Sequence, residues 1–114
     1  MSLQATDQAS AAIAKAPRVS LADIEHAISD HFYFTADEAV RGAHGAGAFV
    51  VEPLRCLSIC IIVMKNGFTV VGKSAPASPE NFDAALGRKF AYDDAMRQLW
   101  PLMGFALREK LSQK

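Results

Sequence analysis

The 114-residue chain carries no excess of either charge, no long apolar run and only two cysteines. Twelve basic and twelve acidic side chains cancel. Duplex nucleic acid draws most of its protein affinity from neutralised phosphates, so it is not the expected partner. A small phosphorylated ligand needs only a local basic cluster and stays open. The longest apolar stretch, Cys56–Met64, is broken by Ser58 and is far too short for a bilayer. The first twenty residues lack a basic start followed by a long apolar core, so no signal peptide is expected and a cytoplasmic location is. Cys56 and Cys60 read as lying on one face of one strand, roughly 13 Å apart at about 3.3 Å per residue. That separation excludes a disulfide between them and predicts two buried free thiols.

Catalytic and metal patterns are equally scarce. His26 and His31 stand near the end of a short predicted helix, where they need not share a face, and His44 is remote in sequence. No Cys-x-x-Cys, His-Glu-x-x-His or glycine-rich phosphate loop occurs. Both cysteines fall in the most apolar strand, where a thiolate is costly. The neighbouring acids Asp37-Glu38 and Asp93-Asp94 point apart on a helix and read as surface charge. The chain is therefore expected to be neither an enzyme nor the holder of a cofactor or metal.

An apolar fraction of 51% with 21% charged residues describes one globular domain with a modest core. Residues 1–17, rich in Ala, Ser and Gln, read as a mobile arm, and 18–114 as a single α+β domain. Ser20 and Asp23 form a capping box for a helix over 20–30 that turns Leu21, Ile24 and Ile28 inward. His31-Phe32-Tyr33-Phe34 is an aromatic knot; Thr35–Glu38 starts a short helix; Ala43–Ala48 is a loop. Phe49–Val51 reads as a short strand. Residues 54–64 form a central strand, nearly apolar on both sides, which calls for cover on both faces. Asn66-Gly67 supplies the positive φ of a tight turn into a second strand over 67–72. A hairpin alone is marginal, so a helix must cover it. Ser78-Pro79-Glu80 has the chemistry of a helix start. Phe82, Leu86, Met96, Trp100, Met103 and Leu107 make the stripe of a long helix, with Pro101 a kink or break into a second helix, 101–111. The expected fold is α+β: a small antiparallel sheet centred on the hairpin, a short N-terminal helix and a long, Pro-interrupted C-terminal helix.

Between turn and helix lies a set of groups suited to an anion. Free amides at Ser78–Asn81 would face a phosphate. Arg88 and Lys89 follow two to three turns along the predicted helix, Lys73 just precedes it, and Phe68 could stack on a purine. Asn81, Arg88 and Tyr92 form a polar line beside the apolar stripe, while Lys89 and Asp93 pair within the stripe at i,i+4. The plainer reading is a helix cap, a core phenylalanine and solvated charges.

Several segments together carry a resemblance: His31–Ala36, Cys60–Val70, Ser78–Asp83, Gly87-Arg88-Lys89 and Trp100–Leu102. Over about Ile24–Leu107 the chain resembles the small tailed-phage and prophage proteins named after phage gene products forty-nine and sixty-six. That family looks related to anti-Thoeris sponges. These are non-catalytic oligomers that bury cyclic ADP-ribose isomers made by TIR enzymes, and in some members cyclic oligonucleotides, in pockets shared between subunits. The resemblance implies ligand contacts from Phe68, Asn81 and Arg88. Tyr92 stands where many relatives carry a second arginine. It implies a small cyclic nucleotide as ligand, a homo-oligomer, here expected to associate through its helices, and an infected or lysogenic bacterium as setting. The alternative from a different class is a phage accessory protein that inhibits a host protein through its helical face.

Overall fold

The computed structural model describes residues 2–45, 47 and 51–113. The elements run α1 (Leu3–Ile13), α2 (Leu21–His26), β1 (Ile28–Thr35), α3 (Ala36–His44), β2 (Ser58–Met64), β3 (Thr69–Ser74) and α4 (Ala84–Ser112). Short 3₁₀ turns at Glu52–Cys56 and Pro79–Asn81 precede β2 and α4. The strands form one antiparallel sheet in the order β1-β2-β3, and α4 lies across it. The α+β expectation holds. The short strand expected at Phe49–Val51 falls mainly outside the described residues.

The hairpin forms, by a different turn. Only Gly67 takes positive φ, at 90°, and Asn66 does not. Gly67 N donates to Met64 O at 2.8 Å and Met64 N to Phe68 O at 2.8 Å, a three-residue loop with glycine at the left-handed position. The Asn66 side chain accepts from Phe68 N at 2.9 Å. Asn66 therefore contributes through its amide oxygen, not through its backbone angle.

The helix expected over 20–30 stops at His26. Its capping box is as anticipated: Asp23 N donates to Ser20 Oγ at 3.0 Å, and Ser20 N to Asp23 Oδ2 at 2.9 Å. Beyond it, Ile28 and the aromatics His31–Phe34 suit a pleated surface better than a helix. They become a third strand after an irregularity between Ile28 and Asp30. The expected strand over 54–64 starts later, at Ser58, because Pro53 opens a 3₁₀ turn that takes in Cys56. Cys56 is thus half-buried on that turn, while Cys60 is buried in the core. The expected loop at Ala43–Ala48 is partly helix, since α3 runs through His44.

The long helix begins at Ala84, not at Pro79. Asp83 caps it, accepting from Leu86 N at 2.9 Å. It runs through Pro101 to Ser112 as one helix of 29 residues, not two. The missing amide at Pro101 is offset by packing on both sides. Trp100 Nε1 donates to Val19 O at 3.0 Å, and Met103 packs on the core.

The buried side of α4 is Gly87, Ala91, Ala95, Met96 and Leu99. This differs from the expected stripe, in which Leu86 proves exposed and Phe82 precedes the helix. Small residues let the helix settle directly on the sheet. A Cβ on Gly72 of β3 would stand 2.0 Å from Ala91 O, and one on Gly87 would stand 2.3 Å from Ser58 Oγ. Ile24, Cys60, Ile62, Met64, Val70, Met96 and Leu99 fill the core.

Residues 1–17, read from sequence as an arm, contain α1, with Leu3 buried. Asp7 Oδ1 accepts from Arg18 Nη1 at 2.9 Å and from Leu21 N at 3.0 Å, tying α1 to the start of α2. The Leu21 amide and then the Arg18 guanidinium hold the Asp7 carboxyl below its ordinary 3.8. A carboxyl depressed in the fold contributes stability above its unfolded pKa and loses it as pH falls through the folded value. Docking of α1 is therefore expected to weaken below about pH 4. Asp7→Asn should weaken it already at pH 7, read as faster protease cleavage between α1 and α2. Equal cleavage of Asp7→Asn and wild type would show that this tie does not hold the helix.

Candidate functional site

Five side chains were candidates from sequence, and the fold distributes them along α4 and its approaches. Arg88 is on the first turns of α4 beside β1, at a cleft of about 200 Å³ lined by Tyr33, Phe34, Thr35, Glu38, Ser58 and Phe82. No ion pair among the described residues engages Arg88. Its charge is close enough to Tyr33 to act on the phenol. Burial raises the Tyr33 pKa, with Cys60 adding to the rise, and the Arg88 charge opposes it. The hydroxyl is therefore a protonated donor at neutral pH. Glu38 is the acid in this cleft and is already committed: its Oε1 accepts from Thr35 N at 2.9 Å and Thr35 Oγ1 at 2.8 Å, capping α3.

Tyr92 follows Arg88 by one turn on the same side of the helix. Its ring meets His31 edge-on at 5.9 Å, and His31 meets Tyr33 at 5.5 Å. Burial, then neighbouring Glu25, raises the Tyr92 pKa, so this phenol is also protonated. Arg88, Tyr33, His31 and Tyr92 thus form a continuous strip between β1 and α4. One permanent cation and three rings capable of stacking and hydrogen bonding lie along it.

Asn81 is not on α4, so the predicted line of Asn81, Arg88 and Tyr92 is not one helix face. It sits on the 3₁₀ turn before Phe82 and lines a separate cleft of about 170 Å³ with Cys56, Pro76, Leu86 and Phe90. Phe82 belongs to both clefts and divides them. The free amides expected at Ser78–Asn81 are partly used, since Asn81 N donates to Ser78 O at 3.0 Å. Ser78 does not cap the long helix; its hydroxyl donates to Glu80. Lys89 points into solvent and pairs with Asp93 at 3.1 Å, as its spacing predicted.

Phe68 is the candidate the fold separates most clearly. It is exposed at the hairpin turn, lining a third cleft of about 220 Å³ with Leu99, Leu102 and Met103. Eleven residues of helix from Arg88 to Leu99 span roughly 16 Å. Within one chain, Phe68 cannot stack on a base whose phosphate lies on Arg88.

The lining residues Tyr33, Thr35, Ser58 and Phe82 were not among the sequence candidates. The signal for them was the aromatic knot and Phe82 in the Ser78–Asp83 segment, whose faces no sequence period could assign. Nucleophilic chemistry gains nothing from the fold. Burial pushes the Cys60 thiol up to about 11. Among the described residues, no three His, Cys, Asp or Glu side chains cluster as metal ligands, and no helix is long and apolar enough to cross a membrane.

Fold and site together define a small two-layer α+β protein with an arginine-and-aromatic strip beside its long helix. The chain belongs to the phage protein (N4 Gp49/phage Sf6 gene 66) family, whose model matches residues 19–111. None of the curated proteins and none of the solved structures compared matches it.

Proposed function

We propose that this phage protein is a non-catalytic sponge for a cyclic nucleotide signal, with a cyclic ADP-ribose isomer as first choice and cyclic oligonucleotides next. The observation that carries the reading is Arg88, unpaired among the described acids and set beside Tyr33 and Tyr92. A guanidinium can take two phosphate oxygens at once, and the rings offer surfaces for a base. A sponge has no transition state to stabilise, so it asks only binding groups of the site. A cleft of about 200 Å³ is smaller than the roughly 300–1,000 Å³ of ordinary ligand pockets. It would hold a phosphate and its sugar, and a second subunit would complete the enclosure. On that reading Phe68 acts from the other chain. The setting is the cytoplasm of an infected or lysogenic host.

A second reading rests on a different surface. Leu86 and Phe90 stand exposed one turn apart on α4, flanking Lys89. An apolar pair beside an ion pair on a helix suits direct capture and inhibition of a host protein. One experiment separates these readings. The protein is incubated with a TIR-produced cyclic ADP-ribose isomer, desalted and heated, and the released small molecules are identified by mass. Intact ligand supports the sponge, altered ligand shows an enzyme, and no ligand leaves host-protein inhibition.

A further inference from the structure

The sheet has two faces, and α4 covers one. Side chains of Ile59, Ile61 and Val63 on β2 project to the other. The register sets Phe34, Phe32 and Asp30 of β1 and Lys73, Val71 and Thr69 of β3 beside them, in the same order. Phe32 is 56% exposed and Val71 52%. Cover on both faces of β2 was expected from its composition; among the described residues this face keeps its apolar side chains half-buried or exposed.

Two further observations say what belongs there. Side chains of α4 already take two backbone groups of the β3 edge: Gln98 Nε2 donates to Val71 O at 2.7 Å, and Lys73 N donates to Asp94 Oδ2 at 3.0 Å. An added strand on that side would have to displace both bonds, whereas the face needs no such exchange. On the face, Asp30 and Lys73 hold diagonally opposite corners of the pattern, with Ile61 at its centre.

We propose that this face is a self-association surface, occupied by a second copy of the chain. A twofold axis along the other diagonal brings Asp30 of each copy onto Lys73 of its partner. The same axis sets Ile61 against Ile61 and crosses the strands steeply, in the orthogonal class of sheet packing. The chain exposes 7633 Å², whereas a compact monomer of its mass exposes roughly 6,100 Å², so the molecule as a whole has surface to spare for an interface of roughly 800 Å² per partner. This surface is distinct from the helices, through which association was expected from sequence, and from the α4 side, where a further subunit would complete the Arg88 cleft.

The test is light scattering and sedimentation on the full chain at micromolar concentration, with no ligand present, so it stands apart from the nucleotide reading. A dimer of twice the 12.3 kDa chain mass is expected. Val71→Lys, at an exposed position, should keep the monomer fold by circular dichroism and weaken the dimer on the order of a hundredfold or more. Asp30→Lys and Lys73→Asp should each weaken it, and the double exchange should restore it. Phe105→Glu, on the projecting part of α4, should leave it intact. A strict monomer, or a dimer broken by Phe105→Glu but indifferent to Val71→Lys, overturns the proposal. Failure of the double exchange to restore association overturns the diagonal arrangement.

Discussion

Gly72→Ala is expected to destabilise the fold by at least about 3 kcal/mol, and larger side chains at this position should prevent folding. The reason is backbone geometry. The added Cβ would lie 2.0 Å from Ala91 O and 2.6 Å from Ala95 N, atoms of a helix that cannot swing aside as a side chain can. Relief requires α4 to lift from β3, which opens the core around Val70 and Met96. Two comparison variants bracket the effect. Gly87→Ala should cost less, because its nearest obstacle is the rotatable Ser58 hydroxyl. Gly104→Ala meets nothing within 4 Å and should stabilise α4 by about 0.5–1 kcal/mol. Urea denaturation of the three variants gives the order. A Gly72→Ala protein as stable as wild type would mean that α4 does not lie against β3 at this distance.

Arg88→Ala is expected to abolish retention of the cyclic nucleotide while leaving fold and stability near wild type. An exposed helix arginine without an ion-pair partner among the described residues contributes little to stability. Its value to a phosphate is large, since one guanidinium fork can bond two oxygens. Arg88→Lys keeps the charge but loses the fork and should bind measurably more weakly than wild type. Tyr92→Phe should lose less, because the ring remains and only the phenol is removed. Calorimetric titration with the ligand and a thermal melt of each variant provide the comparison. If Arg88→Ala unfolds the chain, Arg88 is a structural residue. If it binds like wild type, the ligand site lies elsewhere, and the Asn81 cleft is the next to test.

Much of the architecture was legible because local chemistry agreed with the final fold. Ser20 with Asp23, Thr35 with Glu38, and Gly67 in the turn each satisfy their own backbone within three or four residues. β2 reads as apolar on both sides, so its strand character was legible, but only the fold decided that Ser58, Cys60, Ile62 and Met64 face inward. β1 was missed because its aromatic run has a strand's propensity but an exposed face. Its pairing partner lies some thirty residues further on. The start of α4 was misplaced because Ser78-Pro79 and Asp83 both carry capping chemistry, and only packing chooses between them.

Of the candidate site, the sequence alone determined which side chains could serve a phosphate or a base, because charge and ring chemistry belong to the residue. The tertiary structure decided which of them meet. It joined Arg88 and Tyr92, already one turn apart on their helix, to Tyr33 and His31 of β1, and sent Phe68 to the far end of the sheet. It also decided where the core of α4 lies. Glycine and alanine carry little hydrophobic signal of their own, yet Ala91 and Ala95 are buried because the sheet glycine Gly72 opposite them lets two backbones approach, and Gly87 is buried where it meets Ser58 of β2. Such an approach is a property of two surfaces together, and no period along one strand or helix encodes it.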